Sequence, residues 1–409
     1  MNDRLQTIQQ MQFRDRSEAE ALLLSFVREV YSPDVMAVEL RPLAVSLNSF
    51  NGFLTLADGR RYFFKTHTES DTVIGEYYNA ALLAEAGYPV IQPIFSSTEA
   101  GRQFLVYEIV GAPSVFDTAW AIENGQQPDM LRALTRAQQT ADDDLIGIYR
   151  ATLQPQTASA AAKAPVHQLF YHRLVGGRLS RFYADTAAIN LPGGEIVISD
   201  LFAIRWIIND QVYSDNLRTI IERATRLLNL AQAGPSIIGH GDAHNGNIFI
   251  EQDRLLYFDP AFAGRHHPLL DVVKPLFHNV FAMWMYFPHE KCAQTPITLK
   301  RDGDVWQVRY EYPLHPVREM FFRSKIERVL LPLLSDLRRR GWLRDDWREH
   351  LKAGLFCCPF LTMNLADGEK FPPEISLLGL CMAVEMGAES QGTRSILDRT
   401  LDEVASEVR

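Results

Sequence analysis

IIGHGDAHNGNIFIEQDRLLYFDPAFAGRHHPLLD, residues 237–271, places a His, two Asp and an Asn in short loops bounded by apolar segments. Ile248–Ile250 and Leu255–Phe258 predict two short strands joined by a polar turn. A hairpin of that length would bring Asn247, which precedes the first strand, close to Asp259, which follows the second. The segment therefore predicts a group of polar side chains at one end of a hairpin.

The residue types in this segment suit one kind of chemistry. Asp242 supplies a carboxylate that can accept a proton, while Asn247 and Asp259 supply oxygens that can hold Mg²⁺. Phosphoryl transfer asks a protein for such groups, because its catalysis consists mainly of positioning and charge stabilisation. We therefore take residues 237–271 as the candidate catalytic centre.

The composition is that of an ordinary globular protein with room for two or three domains. The 409 residues are 47% hydrophobic and 22% charged, with a formal net charge of −9 that disfavours a nucleic-acid partner. The four cysteines have no metal-binding spacing, and the polar N-terminus resembles neither a signal peptide nor a membrane anchor. We expect a cytoplasmic protein without a membrane partner, and the oligomeric state stays open.

The N-terminal part of the chain alternates short strand patterns with one helix pattern. Ala57-Asp58-Gly59-Arg60 is a hairpin signal between two of the strands, and Val110–Pro113 predicts a linker. The predicted elements are strands over Val38–Leu47, Gly52–Leu56 and Arg61–Thr66, a helix over Thr72–Gly87, and strands over Val90–Phe95 and Arg102–Ile109.

This order places charged residues where a nucleotide-binding lobe needs them. Lys65 on the third strand could reach the α- and β-phosphates of a nucleotide, and Glu76 on the helix could hold that lysine. Tyr107, Glu108 and Ile109, before the linker, could offer backbone N–H and C=O groups to adenine. The alternative for Lys65 and Glu76 is that both are solvated surface charges.

Two motifs carry a resemblance to a known family. HGDAHNGN at residues 240–247 matches the HGDxHxGN signature of the aminoglycoside phosphotransferase and choline kinase-like group of small-molecule kinases. Phe258-Asp259-Pro260, followed by Gly264, Pro268 and Asp271, is similar to the later segment that supplies the metal-binding Asp of that group. The FDPA sequence also resembles the fructosamine kinase and methylthioribose kinase branches.

The resemblance implies an α+β, bilobal, protein kinase-like fold. Its small N-terminal lobe, residues 1–110, would bind the nucleotide with an antiparallel five-stranded sheet plus a helix. Its larger, mostly helical C-terminal lobe, residues 111–409, would carry the catalytic and substrate-binding groups. This lobe would include an insertion at about residues 154–209 that helps to build the acceptor site, and a hairpin at about residues 296–312.

The resemblance also implies roles at the centre, with ATP and Mg²⁺ as cofactors. Asp242 would orient the acceptor hydroxyl and take its proton, Asn247 and Asp259 would hold Mg²⁺, and Lys65 would neutralise phosphate charge. Three further residues are expected to support the loop: His240, His244 and Asp271. Asp271 would do so through hydrogen bonds to the backbone.

The turn between the first two strands departs from the phosphate-binding loop of protein kinases. Leu47–Gly52 holds a single Gly and lacks G-x-G-x-x-G, although Ser49 or the local backbone N–H groups could still cradle a phosphate. The departure argues against a protein kinase. It also motivates the alternative of a catalytically inactive kinase-like protein that binds a nucleotide or a partner.

The middle of the chain is harder to interpret. Gln154–Pro165 predicts a flexible linker, and His167–Tyr183 is rich in aromatic and basic residues. The basic residues either contact substrate or lie on the wet face of two helices separated by Gly176-Gly177, and we favour the second interpretation. Those residues are His172, Arg173, Arg178 and Arg181. Val272–Tyr286 predicts a buried apolar helix.

The functional prediction is an ATP- and Mg²⁺-dependent phosphotransferase that acts on a hydroxyl group of a small molecule. The acceptor could be a sugar, amino sugar, aminoglycoside or amino alcohol, and the FDPA resemblance favours a sugar-like acceptor. A metal hydrolase built from the His and Asp residues is a more distant alternative, because it leaves Lys65 and the linker unexplained.

Overall fold

The computed structural model describes residues 3–41, 49–67, 79–99 and 101–408. The chain divides into two compact units. The first unit is Met1–Pro113 together with Leu256–Ala263, and the second is Ser114–Leu255 together with Gly264–Arg409. The short segment Leu256–Ala263, which contains Asp259, thus belongs to the N-terminal unit although it is far along the chain.

The first unit is built on one antiparallel sheet of five strands in the order β1-β2-β3-β5-β4. Its elements are α1 (Asp3–Met11), α2 (Arg16–Val30), β1 (Val35–Leu40), β2 (Ser49–Leu56), β3 (Arg61–His67), α3 (residues 79–86 of the described chain), β4 (Phe95–Ser97) and β5 (Phe104–Glu108). The predicted α+β class with a five-stranded antiparallel sheet and a helix is therefore confirmed.

Aromatic side chains form the core of this unit. Phe50, Phe64 and Phe104 point from adjacent strands to one face of the sheet, where they meet Phe26 of α2. The rings of Phe64 and Phe104 stack with centroids 5.4 Å apart. Because successive residues of a strand face opposite sides, this packing directs Lys65 to the other face of β3.

Two strand predictions in this unit are wrong at the residue level. Val90 makes only an isolated bridge to Tyr257, and the strand predicted over Val90–Phe95 begins instead at Phe95. The first strand begins at Val35 and ends at Leu40, while residues 42–47 of the prediction lie outside the described chain. Residues 72–78 of the predicted helix, with Glu76, also lie outside it.

Gly52 lies inside β2 rather than in a turn. It pairs with Leu40 on one side and Phe64 on the other, and a Cβ atom there would stand 2.0 Å from the Glu39 carbonyl oxygen. The close approach of β1 therefore explains this glycine.

The second unit is mostly helical. Its helices are α4 (Val115–Glu123), α5 (Met130–Thr152), α6 (Ala158–Ala161), α7 (Tyr171–Val175), α8 (Arg178–Phe182), α9 (Ile198–Leu201), α10 (Leu217–Leu227), α11 (Pro268–His278), α12 (Met283–Tyr286), α13 (Pro288–Gln294), α14 (Pro316–Lys325), α15 (Leu331–Arg339), α16 (Trp347–Leu361), α17 (Pro373–Gly387) and α18 (Ile396–Glu407). One π-helical turn, Ile326–Leu330, joins α14 to α15. None of the helices in the described chain is long and apolar enough to cross a membrane.

Short strands complete the second unit. They are β6 (Gln154–Gln156), β7 (Ala188–Leu191), β8 (Gly194–Val197), β9 (Arg205–Ile208), β10 (Gln211–Tyr213), β11 (Gly234–Gly239), β12 (Ile248–Glu251), β13 (Arg254–Tyr257), β14 (Gly264–His266), β15 (Ile297–Asp302), β16 (Val305–Tyr310) and β17 (Ser390–Gly392). The division between the two units falls inside β13. Strands β15 and β16 form an antiparallel hairpin, in which Gly303 has a φ of +57°.

The prediction of a flexible linker over Gln154–Pro165 is wrong. Pro155 pairs with Pro235 in a three-stranded sheet, and Thr157 caps α6 by accepting a hydrogen bond from the Ala160 N–H. The sequence is small and polar, but its backbone groups find partners in β11, so the segment is ordered.

Candidate active site

The first unit brings together Lys65 and Asp259. Lys65 lies on β3 opposite Asn51 and Leu105, with only 10% of its side chain exposed. Its Nζ donates a hydrogen bond of 2.6 Å to Asp259 Oδ1. The partner expected for Lys65, Glu76, lies outside the described residues. Among the described residues, the lysine thus pairs with the carboxylate predicted to hold the metal.

Asp259 has an unusual backbone conformation. Its φ is +55°, in the left-handed region that residues with a Cβ rarely occupy. The other described non-glycine residues with positive φ form two adjacent pairs in hairpin turns, Asn209-Asp210 and Gln252-Asp253. Asp259 instead follows directly after the strand pattern of β13 and Phe258. Such backbone strain is concentrated at functional sites.

The residues expected to bind adenine lie at the end of β5. The Tyr107 side chain is buried and packs against Phe63 and Phe258, with ring centroids 6.3 and 5.2 Å away. Glu108 is exposed at the last position of the strand, and Ile109 after it is 40% exposed. Backbone atoms are therefore what this segment can offer a ligand. The backbone of Ser49 begins β2, but its side chain lies outside the described residues.

In the second unit, β11 leads into the loop that carries Asp242. A Cβ atom on Gly239 would lie 2.5 Å from the Asp271 carboxyl carbon and 2.7 Å from His266 Nε2, so only glycine fits at this position. Gly241 has a φ of +78°, which turns the chain so that Asp242 follows. The two glycines let the loop approach Asp271 closely.

Asp271 stabilises this loop through hydrogen bonds. Its Oδ1 accepts a 2.5 Å hydrogen bond from the Gly241 N–H and lies 3.0 Å from His266 Nε2, while its Oδ2 accepts from the Tyr149 hydroxyl. The side chain is 2% exposed. Burial alone would raise the pKa of this carboxyl group, but the contacts with His266, Tyr149 and Gly241 lower it below its ordinary value. The anion is thus the form that the loop requires.

The remaining loop residues bond to one another. The Asp242 N–H donates to His240 Nδ1 at 3.4 Å, and the Gly246 N–H donates to His244 Nδ1 at 3.1 Å. Asn247 Nδ2 donates to the Asp242 carbonyl oxygen at 3.0 Å, which fixes the amide orientation and leaves Asn247 Oδ1 as a possible metal ligand.

Asn279, at the end of α11, was not predicted as a site residue. Its Oδ1 accepts a 2.8 Å hydrogen bond from the Asn245 N–H, in the middle of the loop. The Asn279 carbonyl oxygen accepts from Arg318 Nη1 at 3.2 Å. Asn279 therefore joins the loop to α14, and no pattern in the sequence indicated this contact.

The Asp242 carboxylate is largely buried, with 14% of its side chain exposed. Its Oδ1 has no hydrogen-bond partner within the part of the chain that the structure describes, and Lys274 Nζ is 3.6 Å away. Burial would raise the pKa of Asp242, but the charges of Lys274, His244 and Arg173 lower it below its ordinary value. Asp242 is therefore ionised at neutral pH and has an oxygen that can accept a hydrogen bond.

Lys274 is the main residue that the sequence analysis missed. It lies on α11 and is 3% exposed. Its Nζ is 3.2 Å from His278 Nε2, and His278 Nδ1 is 2.8 Å from the Tyr286 hydroxyl. A Lys and a His four residues apart in an apolar helix were the available signal, because such residues are rarely buried without a purpose.

The prediction for the basic segment His167–Tyr183 is correct only in part. Helices α7 and α8 are separated at Gly176-Gly177, as the favoured interpretation held, and Arg181 is exposed. Arg173, however, lies close enough to Asp242 to lower the pKa of that carboxyl group. Its buried Nε has no hydrogen-bond partner in the described chain. The prediction that all the arginines lie on a wet face is therefore wrong for Arg173.

The predicted metal ligands fit Mg²⁺ by type. Mg²⁺ prefers oxygen ligands and usually takes one or two carboxylates together with substrate phosphates and water. Asn247 Oδ1 and Asp259 supply an amide and a carboxylate oxygen. Within the described residues, no group of three His, Cys, Asp or Glu side chains could hold a metal ion.

Comparison with known proteins gives one family match. The profile described as the phosphotransferase enzyme family matches residues 39–312. No curated protein sequence matches the chain significantly.

Several solved structures are similar to the chain. A thermostable mutant of an aminoglycoside phosphotransferase, in a ternary complex with ADP and hygromycin B, is 10% identical, with 91% of this chain and 99% of that chain covered and a TM-score of 0.48. An amicoumacin kinase in complex with AMP-PNP and Ca²⁺ is 14% identical, with coverage of 97% and 95% and a TM-score of 0.44. The Plasmodium vivax ethanolamine kinase is 10% identical, with coverage of 99% and 94% and a TM-score of 0.41.

Proposed function

Because the chain belongs to the phosphotransferase enzyme family, we propose that it transfers the γ-phosphoryl group of ATP to a hydroxyl group of a small molecule, with Mg²⁺ as the metal. The observation that carries this proposal is Asp242, a buried and ionised carboxylate whose Oδ1 forms an ion pair with Lys274 and has no hydrogen bond in the described chain. A hydroxyl group is the simplest partner for such an oxygen, because it donates one hydrogen bond and then loses that proton.

Asp242 orients the acceptor and takes its proton late in the reaction. The lowered pKa makes Asp242 a weak base, which suits a loose transition state in which the acceptor oxygen loses its proton only as the new bond forms. The carbonyl oxygen of the same residue holds Asn247. The loop therefore couples the position of the base to that of a proposed metal ligand.

Lys65 and Asp259 serve the nucleotide. Lys65 neutralises phosphate charge when the nucleotide is present, and its hydrogen bond to Asp259 keeps the ammonium group in place before then. Asn247 and Asp259 would hold Mg²⁺, which would supply charge stabilisation for the transferred phosphoryl group. The backbone after Tyr107 contacts the adenine edge.

The acceptor is a polyhydroxy, sugar-like molecule. Two observations support this class: the FDPA sequence at residues 258–261, and the cations Lys274 and Arg173 beside Asp242. A substrate with an ammonium group next to its reactive hydroxyl would meet like charge there.

ADP release tests the proposal. Purified protein is given ATP, Mg²⁺ and a panel of sugars, amino sugars, amino alcohols and aminoglycosides. We expect at least one sugar-like acceptor to be phosphorylated, and Asp242→Asn to lower the rate by about 10²–10⁴-fold, the range for losing a positioned base. Asp253→Asn, in an exposed turn of the next hairpin, is the matched control and should leave the rate unchanged.

A thermal shift with ATP and Mg²⁺ separates the alternatives. Stabilisation by the nucleotide, with an Asp242→Asn variant that binds ATP but turns over slowly, supports a kinase. Stabilisation without ADP release from any acceptor would instead favour the inactive, nucleotide-binding alternative. Full activity of the Asp242→Asn variant would refute the role of Asp242.

A further inference from the structure

Lys274 differs from the other buried lysines of the described chain. The others donate directly to a carboxylate oxygen, as buried charges usually must. These pairs are Lys65 with Asp259, Lys325 with Asp142, and Lys352 with Asp398. Lys274 Nζ, in contrast, stands 3.6 Å from Asp242 Oδ1, within ion-pair distance but just beyond that of a hydrogen bond.

This spacing leaves a buried carboxylate oxygen with an ion-pair partner but without a hydrogen bond. A buried carboxylate oxygen without a hydrogen bond is unfavourable, since it has lost its water. Lys274 Nζ also lies 3.2 Å from His278 Nε2. The geometry is therefore what we expect if a third group normally bonds to both ends.

A hydroxyl oxygen can be that third group. Two atoms 3.6 Å apart can both reach one oxygen at about 2.8 Å, the usual length of such hydrogen bonds. Asp242 Oδ1 has almost no accessible surface, so the hydroxyl group reaches it by moving the side chains that cover it. The hydroxyl would donate its proton to Asp242 Oδ1 and accept a hydrogen bond from Lys274 Nζ. Of the neighbouring groups, neither His278 nor Tyr286 bonds to this Oδ1.

We propose that Lys274 is a catalytic residue, whose ammonium group donates a hydrogen bond to the acceptor oxygen while Asp242 accepts the proton of the same hydroxyl. This inference rests on the proposed function. Oxyanion-type donors act by stabilising charge where it develops, and each is worth about 10²–10³-fold in rate. Lys274 would have this role toward the attacking oxygen.

The transfer step balances as follows. The acceptor oxygen forms a bond to the γ-phosphorus, and the bond from that phosphorus to the β,γ-bridging oxygen breaks. The electron pair of the broken bond leaves with ADP. The hydroxyl proton passes to Asp242 Oδ1, and Lys274 keeps its own proton while its positive charge opposes the negative charge growing on the acceptor oxygen.

His278 and Tyr286 fix the direction of Lys274. Burial first, and then the charge of Lys274, hold the pKa of His278 well below its ordinary value, so the ring is neutral. Its Nε2 accepts from the Lys274 ammonium group, so Nδ1 carries the proton and donates to the Tyr286 oxygen. A neutral ring in this tautomer holds one of the three Nζ–H groups, which leaves the other two able to donate to another acceptor.

The test compares lysine variants of the full chain. ATP and Mg²⁺ are supplied with water alone as the acceptor, and then with the sugar panel, and ADP formation is divided by the folded fraction from a thermal melt. Lys274→Met should lower kcat about 10²-fold and change the KM for ATP less than about threefold. Lys274→Arg, which restores a donor, should recover part of the loss.

A control and a double variant guard against a fold effect. Lys352→Met breaks another buried Lys–Asp pair, far in sequence from the loop, and should lower the melting temperature without lowering the rate per folded molecule. If Lys274→Met alone folds poorly, Lys274→Met with Asp242→Asn removes both charges together. In that background the lysine change should add less than about twofold, because groups that act on one oxygen are not additive.

Two results would overturn the inference. Lys274→Met with the rate of the unaltered protein would remove its catalytic role, as would a variant in which only the KM for ATP rises, since Lys274 would then bind nucleotide. An unaltered protein that is folded but forms no ADP from any acceptor fails the proposed function itself, and the inference falls with it.

Discussion

Asp271→Asn should slow catalysis by displacing the loop that carries Asp242. The carboxylate receives hydrogen bonds from the Gly241 N–H and the Tyr149 hydroxyl and lies 3.0 Å from His266 Nε2, all in a buried place. The Asn side chain has nearly the same shape. It keeps one acceptor oxygen but replaces the other with an NH₂ group, and it removes the negative charge.

The magnitude follows from counting the partners. Asn Oδ1 can still serve Gly241, but the Tyr149 hydroxyl loses its acceptor and the hydrogen bonds are no longer charge-assisted. One charge-assisted bond lost in a buried place is worth roughly 1.5–3 kcal/mol. Asp271→Ala would remove the carboxylate from all three contacts, so we expect a loss of roughly twice that amount.

The catalytic effect comes from position. Gly241 is the residue before Asp242, so a shift of its N–H moves the base directly. A misplacement of about 1 Å can cost about 10²-fold in rate. We expect kcat of Asp271→Asn to fall 10- to 100-fold, while the KM for ATP changes less, because Lys65 and Asp259 belong to the other unit and only Asn247 shares the displaced loop.

The assay combines urea unfolding with steady-state kinetics on the folded protein. Asp398→Asn is the matched control: Asp398 is equally buried and bonds to Lys352 and Ser390, away from the loop. It should lose similar stability and keep its kcat. Equal losses of kcat in both variants, or no loss in Asp271→Asn, would refute the anchoring argument.

Two further predictions concern pH and the acceptor. Burial raises the pKa of Glu385 from 4.5 to about 7, so the folded chain binds a proton that the unfolded chain releases, and stability falls as pH rises from about 4.5 to 7. The free energy of unfolding of Glu385→Gln, relative to that of the unaltered protein, should therefore increase by roughly 2 kcal/mol between about pH 5.5 and 8.5. Urea unfolding measures this difference, and a difference that does not change with pH would contradict the raised pKa. Lys274 and Arg173 together carry two positive charges beside the single negative charge of Asp242. Choline-like acceptors should therefore have a kcat/KM about 10-fold or more below that of neutral polyols of similar size. The opposite order in the ADP assay would contradict this prediction.

Local patterns were enough to predict most of the first unit. The apolar runs of β3 and β5 predicted these strands, and the polar turn at Asp58-Gly59 predicted the β2–β3 pairing. The strand predicted at Val90–Phe95 failed because Val90 makes only an isolated bridge to Tyr257, and continuous pairing with β5 begins at Phe95. The pattern of apolar residues in a sequence indicates which side chains favour burial, but not whether another strand lies beside them.

For the candidate site, too, local patterns predicted some residues and missed others. The motif at residues 240–247 pointed to Asp242 and Asn247, because their spacing lies within one loop. The contacts of Lys274 and Arg173 with that loop depend on how α11 and α7 pack, and no short-range pattern encodes that packing. Lys274 also stood in a segment that we interpreted only as apolar, so its charge was overlooked.

The return of Leu256–Ala263 to the first unit has a consequence for synthesis on the ribosome. Phe258 packs against Tyr107, and Asp259 pairs with Lys65, so the N-terminal unit cannot complete its core when Pro113 emerges. The missing segment appears about 150 residues later, which is about 8–30 s at roughly 5–20 residues per second. Through that interval the sheet face that carries Phe63 and Tyr107 lacks Phe258 and is accessible to chaperones. A fragment that ends at the linker would keep this incomplete state permanently.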